Sequence, residues 1–435
     1  MGQSPPLVLT QAAFCTLLHC NDHLTNEPEP AMQALARLSP EVRQYLIVTG
    51  NYWAFTLTDG ALRMLVVLHF HALGYSPLQI AALFLFYEVF GVITNLVGGY
   101  LGARLGLNRT MNLGLAMQVV ALLMLTVPAP WLTVAWVMGA QALSGIAKDL
   151  NKMSAKSSIK LLVPDSQQGT LYKWVAILTG SKNALKGVGF FLGGLLLTLL
   201  GFAGAVLAMA AVLAVIWLSS LVLLRKDLGK AKAKPKFKDI LSKSPAINVL
   251  SAARLFLFGA RDVWFVIALP VYLSTVFGWN FWMVGGFLAC WVIGYGIVQS
   301  IAPAITGKRS GKVPDGRAAF IWAALLAALP AAIAVGLTGN ASPQWVLIGG
   351  LLLFGALFAV NSSLHSYLIV SYAKEDGVSL DVGFYYMSNA MGRLIGTLLS
   401  GWVFQAYGLQ ACLWVSSLFV LLAALISLRL PRHAH

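Results

Sequence analysis

Charge is what this 435-residue chain has least of: only 10% of its residues are Asp, Glu, Lys or Arg, against 58% hydrophobic. A soluble domain carries roughly 25% charged residues, so the deficit excludes an ordinary globular enzyme. Acids are the scarcer sign, 15 against 30 Lys and Arg, which leaves a net charge of +15. Cysteine is also scarce. The four Cys residues form no CxxC pair, and a thiolate metal site is not read from them; no metal and no cofactor is expected. No HExxH stands in the sequence, no acid-rich metal cluster, and no extramembrane stretch large enough for a catalytic or output domain. These absences argue against a membrane enzyme acting on phosphorylated lipids and against a sensor.

What is there is a set of long apolar runs, with a mean hydropathy of +0.77. About 20 apolar residues cross a bilayer as a helix, whereas a transmembrane barrel shows ~10-residue alternating segments. The reading is an all-α integral membrane protein. Twelve spans are predicted: 45–68, 78–101, 110–128, 131–152, 171–197, 203–224, 248–275, 281–303, 318–338, 344–370, 381–404 and 409–429. Residues 1–38 lack a basic region ahead of a short apolar stretch and make a poor signal peptide. They are read as a disordered cytoplasmic tail, or as a stretch ahead of a true start near Met32.

Loop charge alternates along the chain. Segments 69–77, 129–130, 198–202, 276–280, 339–343 and 405–408 hold no Lys, Arg, Asp or Glu. The opposite set is basic, and its longest member, "RKDLGKAKAKPKFKDILSK" (225–243), has eight Lys or Arg against two Asp. This is the positive-inside pattern, and it puts both termini in the cytoplasm. Much of the +15 is orientation signal, so no nucleic-acid partner is expected. The basic loop divides the chain into bundles at 39–224 and 248–435, joined by a linker at 225–247. The halves echo each other: Asp59 and Arg63 in the first span against Arg261 and Asp262 in the seventh, and "SKNALKG" (181–187) in the fifth against "SNAMGRLIG" (388–396) in the eleventh. Six-span parallel halves are typical of one large transporter class.

A charge at membrane depth costs roughly 2.5–3.5 kcal/mol on insertion scales, so each asks for a partner or a task. Seven cations are read as the membrane-depth set: Arg63, Lys148, Lys152, Lys182, Lys186, Arg261 and Arg393. Four acids accompany them: Asp59, Glu88, Asp149 and Asp262. Internal pairing cannot neutralise this set; an anionic substrate can. Lys182 and Lys186 stand one helical turn apart, so their ammonium groups share a side. Their alternative is pairing with Glu88 or Asp149. Arg261 is read as facing the cavity, with Asp262 serving a different neighbour, and Arg393 as a second substrate contact without an acid within a turn. Asp59 and Arg63, four apart, read as a local pair. Asn361 and His365, one turn apart, are either satisfied polar residues or substrate contacts. Lys148 and Arg63 complete the candidate binding set, and the four acids are the candidate proton-coupling sites. Of the lysine ladder in "GIAKDLNKMSAKSSIKLLVP" (145–164), Lys156 and Lys160 fall beyond the bilayer on a depth count from Trp131, and read as topology signal and headgroup contacts. Tyr52, Trp53, Tyr87 and Trp264 sit near the charges; most aromatics should face lipid or the interface.

"GGYLGARLGLNR" (98–109) resembles the loop signature of the major facilitator superfamily (MFS), with Gly99, Arg104, Gly106 and Arg109 matching and Ala103 where that signature has an acid. "GFFLGG" (189–194) partly resembles its antiporter motif, with Phe190 in place of proline. The resemblance implies an MFS fold of 12 transmembrane helices in two pseudo-symmetric six-helix bundles. Longer blocks, at 38–70, 143–164, 171–194 and 250–273, are similar to ArsJ-type organoarsenical efflux permeases. That resemblance implies export of 1-arseno-3-phosphoglycerate, made by a companion glyceraldehyde-3-phosphate dehydrogenase from arsenate. It implies arsenate resistance, a bacterial inner-membrane location and, as expected here, a monomer that is not an enzyme. The alternative is a permease or exchanger for an ordinary organophosphate or phosphate anion. The family supplies no binding residues; the site set above comes from the charges.

Overall fold

In a computed structural model of the chain, the described residues are 39–74, 83, 85–164, 166–224, 228–231, 244–306, 313–340 and 342–432. The expected tail at 1–38, most of the 225–247 linker and the 307–312 part of the ninth-span loop lie outside them. Thirteen helices are described. The first four are α1 (Pro40–Ala72), α2 (Leu85–Leu105), α3 (Leu107–Met124) and α4 (Val134–Leu162). The run Gln168–Leu223 breaks at Gly201 into α5 (168–200) and α6 (202–223). Then come α7 (Pro245–Phe265), α8 (Ala268–Thr275), α9 (Phe281–Thr306), α10 (Gly316–Gly336) and α11 (Pro343–Tyr372). Val378–Ser427 breaks at Gly408 into α12 (378–407) and α13 (409–427). With α7 and α8 forming one passage, these make twelve transmembrane passes in two six-helix halves.

Local chemistry sets the ends. The hydroxyl of Thr133 accepts from Trp136 N (3.3 Å) at the start of α4, and Ser244, followed by Pro245, caps α7. Asp315 accepts from both Arg317 N (3.0 Å) and Ala318 N (3.1 Å) at the start of α10. The seventh passage, expected as one span over 248–275, is discontinuous. Ile267 and Ala268 donate their freed backbone N–H groups to Ser400 Oγ at 3.3 and 3.1 Å. A broken helix is tolerated at membrane depth where protein groups take up its backbone donors. The fourth span, expected to end at 152, runs to Leu162, so all four ladder lysines sit on one helix.

The halves repeat each other in their backbone. Gly201 (φ 67) and Gly408 (φ 78) occupy the same joint, between the fifth and sixth passes of each half. In the first half, Gly189 and Gly193 press α5 onto the backbone of Leu57 and Ala61 in α1; in the second, Gly392 and Gly396 press α12 onto Leu255 and Gly259 in α7. A Cβ at any of these four would collide with a facing backbone oxygen, so only small residues fit.

The seam between the halves also repeats. Gly99 of α2 meets Ser379 and Gly383 of α12, while Gly180 and Gly187 of α5 meet Gly296 and Ile293 of α9. At the end of the bundle that bears the basic loops the seam is packed with apolar side chains: Leu364, Tyr367, Val378 and Tyr385 of the second half share one apolar core with the first. Gln168 Oε1 accepts from Tyr367 (3.0 Å), and the Tyr172 and Thr306 hydroxyls lie 2.9 Å apart across the same end. Residues from 44 onward form one compact unit.

Candidate functional site

The buried charges gather between the halves in two walls and a floor. On the first wall, Tyr87 of α2 is the centre. Its hydroxyl donates to Asp59 of α1, at 2.8 Å from Oδ1. The Arg63 guanidinium lies over its ring at 4.5 Å and the Lys148 ammonium at 3.7 Å. One tyrosine therefore links a carboxylate through its hydroxyl and two cations through its face. On α4, Asp149 sits between Lys148 (3.9 Å) and Lys152 (2.6 Å). Lys182 and Lys186 project from α5, where Gly60 and Gly189 bring α1 and α5 into backbone contact. Lys182 donates to Asn183 Oδ1 (3.3 Å). Lys186 has no hydrogen bond or ion pair among the described residues; its strongest charged neighbours are Arg63, then Asp59, Lys182 and Arg393.

The second wall repeats the clamp with arginine. Asp262 of α7 accepts from Arg261 Nε (2.6 Å) through Oδ1 and from Arg393 Nε of α12 (3.1 Å) through Oδ2. In both clamps the acid is hidden and the cations reach open space. Asp149 and Asp262 side chains are 2% and 0% exposed, against 14% and 13% for Lys148 and Lys152, and 15% and 28% for Arg261 and Arg393. A cavity wall built this way presents positive charge and keeps its counter-charge behind it.

The floor crosses the seam. Lys156 of α4 donates to Tyr386 of α12 and to Thr179 Oγ1 of α5 (2.9 Å), and both Lys152 and Lys156 lie 4.8 Å from the Tyr386 ring centre. Asn183 of α5 donates to Gln299 of α9 (2.6 Å), which donates to Ser362 of α11 (3.0 Å). Arg254 of α7 donates to Asn389 Oδ1 (2.8 Å) and stacks at 3.8 Å from the Phe258 ring centre.

Most of the residues expected at the site are brought together: Asp59, Arg63, Lys148, Asp149, Lys152, Lys182, Lys186, Arg261, Asp262 and Arg393. Several readings change. Asp262 does serve a different neighbour, Arg393 of α12, but Arg261 bonds it as well, so the two arginines share one acid. Asp59 and Arg63 meet around Tyr87. Asn361 gives its amide N–H groups to structure, donating to Trp322 O of α10 (2.9 Å) and to Leu357 O (3.0 Å), while its Oδ1 is buried without a hydrogen-bond partner among the described residues. His365 is buried, with no hydrogen-bond partner at either ring nitrogen among the described residues. Lys156 and Lys160 are not headgroup contacts; both are buried, at 3% and 5% exposure. Trp264 belongs to the apolar core with Trp291 and Phe354. The side chain of Glu88 lies outside the described residues.

Arg254 and Tyr386 were missed. Arg254 precedes Arg261 by seven residues, which returns to within ~20° of the same helix face, so the signal was in the spacing. Nothing in the sequence marks Tyr386. In the loop motif, Gly106 (φ 100) makes the turn between α2 and α3, and the Ser379 hydroxyl donates to Gly99 O (2.8 Å). Arg104 donates to Tyr100 (2.6 Å). Linker residues Leu228 and Ala231 pair with the backbone of Leu107 and Ala103, each at 2.8 Å.

The comparison with known families now has a site to attach to. The sequence profile of the Major Facilitator Superfamily matches residues 46–375 and 291–435. The chain belongs to that superfamily. Its fold is similar to the human organic anion transporter MFSD10 (TETRAN), with 18% identity, a TM-score of 0.71, and 90% of this chain and 100% of that one covered. It is similar also to a bacterial homologue of the iron transporter ferroportin in an outward-facing state (15%, TM-score 0.69, 89% and 99% covered). A third likeness is to the E. coli fucose:proton symporter FucP (14%, TM-score 0.66, 88% and 98% covered). No curated protein sequence matches the chain. The superfamily member is therefore a membrane transporter and not an enzyme, and its substrate must be argued from the walls.

Proposed function

We propose that this transporter carries a small multivalent organophosphate-type anion by alternating access, and that the anion is 1-arseno-3-phosphoglycerate, exported from a bacterial cytoplasm to give arsenate resistance. One observation carries the anionic part. Nine cations (Arg63, Lys148, Lys152, Lys156, Lys182, Lys186, Arg254, Arg261 and Arg393) surround three described carboxylates, and Lys182 and Lys186 have no acid bonded to them among the described residues. A phosphate joined to an acyl-arsenate supplies several negative charges and many acceptor oxygens, which charge-assisted donors bind strongly. The resemblance of the 143–164 and 171–194 blocks to the organoarsenical permeases supports the particular ester, since those blocks carry five of the cations. In this reading the basic-loop end faces the cytoplasm, and the sealed seam there is the state closed to the cytoplasm. Asp59, Glu88, Asp149 and Asp262 remain the coupling candidates; among the three described side chains Asp59 is the one bonded to an uncharged donor, the Tyr87 hydroxyl.

The test is uptake into inside-out vesicles. The ester is generated in place by glyceraldehyde-3-phosphate dehydrogenase and arsenate, and compared with 3-phosphoglycerate and inorganic phosphate. Preferential uptake of arsenic is expected. Equal uptake of all three would favour the ordinary organophosphate permease and sink the ester.

A further inference from the structure

Two buried cations in the floor do more than line a cavity. Lys156 is 3% and Arg254 2% exposed, and neither meets a carboxylate among the described residues. The charged neighbours of Lys156 are Arg254, Lys182 and Lys152, all cations. Three cations around a fourth, with no acid bonded to it, is a costly arrangement unless an anion enters or the amine gives up its proton. Two observations favour an anion. The Arg254 guanidinium bonds through Nε to Asn389 and through Nη1 to Ser362 O, leaving Nη2 uncommitted. The polar groups beside it are unused as well: both His365 ring nitrogens and the Tyr385 hydroxyl are buried without a hydrogen-bond partner among the described residues, and Arg254 lies 5.2 Å from the Tyr385 ring centre. Buried polar groups are rarely left so.

We propose that Lys156 and Arg254, with the Tyr386 hydroxyl, form a buried anion subsite at the seam, separate from Lys182 and Lys186 and matched to a compact dianionic oxyanion of the phosphate type. Two cations meet the charge of ~1.5–2 that a phosphoryl group carries at neutral pH. The guanidinium offers a planar fork to two oxygens, and the lysine a point charge to a third. The choice of phosphate rests on the anion-transport reading; the need for an anion rests only on the charges. Its position has a consequence for the cycle. Lys156 and Thr179 belong to the first half, and Arg254 and Tyr386 to the second. An occupant bonded to both cations holds the halves together at the basic-loop end.

The experiment is thermal unfolding of the purified full-length protein in phosphate, sulfate, chloride or gluconate at fixed ionic strength. Phosphate and sulfate should raise the midpoint over gluconate, with chloride adding little. Lys156→Met and Arg254→Gln should each raise the half-saturating phosphate concentration about ten-fold or more, the scale of a charged hydrogen bond. Lys173→Ala, at an exposed lysine outside the site, should leave that concentration nearly unchanged. Tyr386→Phe, which removes one hydroxyl and no charge, guards against misfolding of the other variants and should weaken phosphate by several-fold. No oxyanion-specific shift in the wild type, or an equal shift in Lys156→Met, overturns the subsite and points to a neutral Lys156. Loss of the phosphate response in Lys186→Ala alone assigns the effect to the upper cations and also overturns it. If the subsite behaves as expected while the vesicles show no preference for the ester, the substrate assignment falls and the subsite stands.

Discussion

The two halves share a backbone plan and differ in how they carry charge. The first half uses five lysines and one arginine (Arg63, Lys148, Lys152, Lys156, Lys182 and Lys186); the second uses three arginines (Arg254, Arg261 and Arg393) and no lysine. Apolarity divides elsewhere, inside the first half. Every passage from α5 onward lies in a run apolar enough to cross a membrane, whereas among the described residues none of the first four helices contains such a window. Lysine is a hydrated point charge on a flexible stem, and arginine a planar fork that holds fixed bidentate partners. The second wall is thus set in place by Asp262, and the arginine of the floor, Arg254, by Asn389 and the Ser362 carbonyl. The first wall, with Lys182 and Lys186 bonded to no acid, is free to adjust to a ligand. One wall orients and the other gathers.

Removing the two clamp acids should break this comparison most visibly. Asp262→Asn leaves Arg261 and Arg393 without the carboxylate that both share, and breaking a buried pair typically costs about 3–5 kcal/mol. Asp149→Asn releases two lysines whose flexible stems reach open space, and should cost less, about 1–3 kcal/mol. Chemical or thermal unfolding of the two variants checks the order. A cost for Asp149→Asn equal to or above that of Asp262→Asn would mean that the lysine wall is as rigid as the arginine wall.

Transport separates the walls next. Lys182→Ala and Lys186→Ala should each lower the ratio of maximal rate to KM about ten- to a hundred-fold, the range of one charged hydrogen bond, while the unfolding midpoint holds or rises because a cation is removed from a positive cluster. Arg393→Lys keeps the charge and loses the fork, so it should lower both transport and stability. If Lys186→Ala transports like the wild type, the gathering role of the first wall is wrong. Arsenate tolerance in cells carrying the companion dehydrogenase is a second readout of the same variants.

Much of this was legible in the sequence, and the parts that were not have physical reasons. Loop charge and apolar length located the passes, because the bilayer imposes both on every helix. The clamp acids and the Lys182–Lys186 pair were visible because a charge within an apolar run stands out against its neighbours. Which charges meet was not visible: Asp262 and Arg393 are 131 residues apart, and only the packing of α7 on α12 through Gly392 and Gly396 joins them. Lys156 was misplaced because depth was counted along a helix taken to meet the headgroups after twenty residues. In fact α4 stays covered by α5 and α12 well past that point. Asn361 stayed open because a polar residue within a span has two ways to be satisfied, by a ligand or by a neighbour's backbone, and composition does not distinguish them.

The smallest expected effect tests the symmetry itself. Gly201 (φ 67, ψ 179) and Gly408 (φ 78, ψ −176) hold a backbone region that is almost exclusively glycine's, and a Cβ built on either meets nothing within 4 Å. Gly201→Ala and Gly408→Ala therefore change backbone strain and nothing else, at about 1–3 kcal/mol each. Because the two joints have the same geometry in halves of different chemistry, their costs should agree within about 0.5 kcal/mol and add in the double variant, as distant sites do. A large difference would show that the joints are loaded differently, with one of them bearing strain from the seam. Matching costs would confine the asymmetry of the molecule to the charges of its walls.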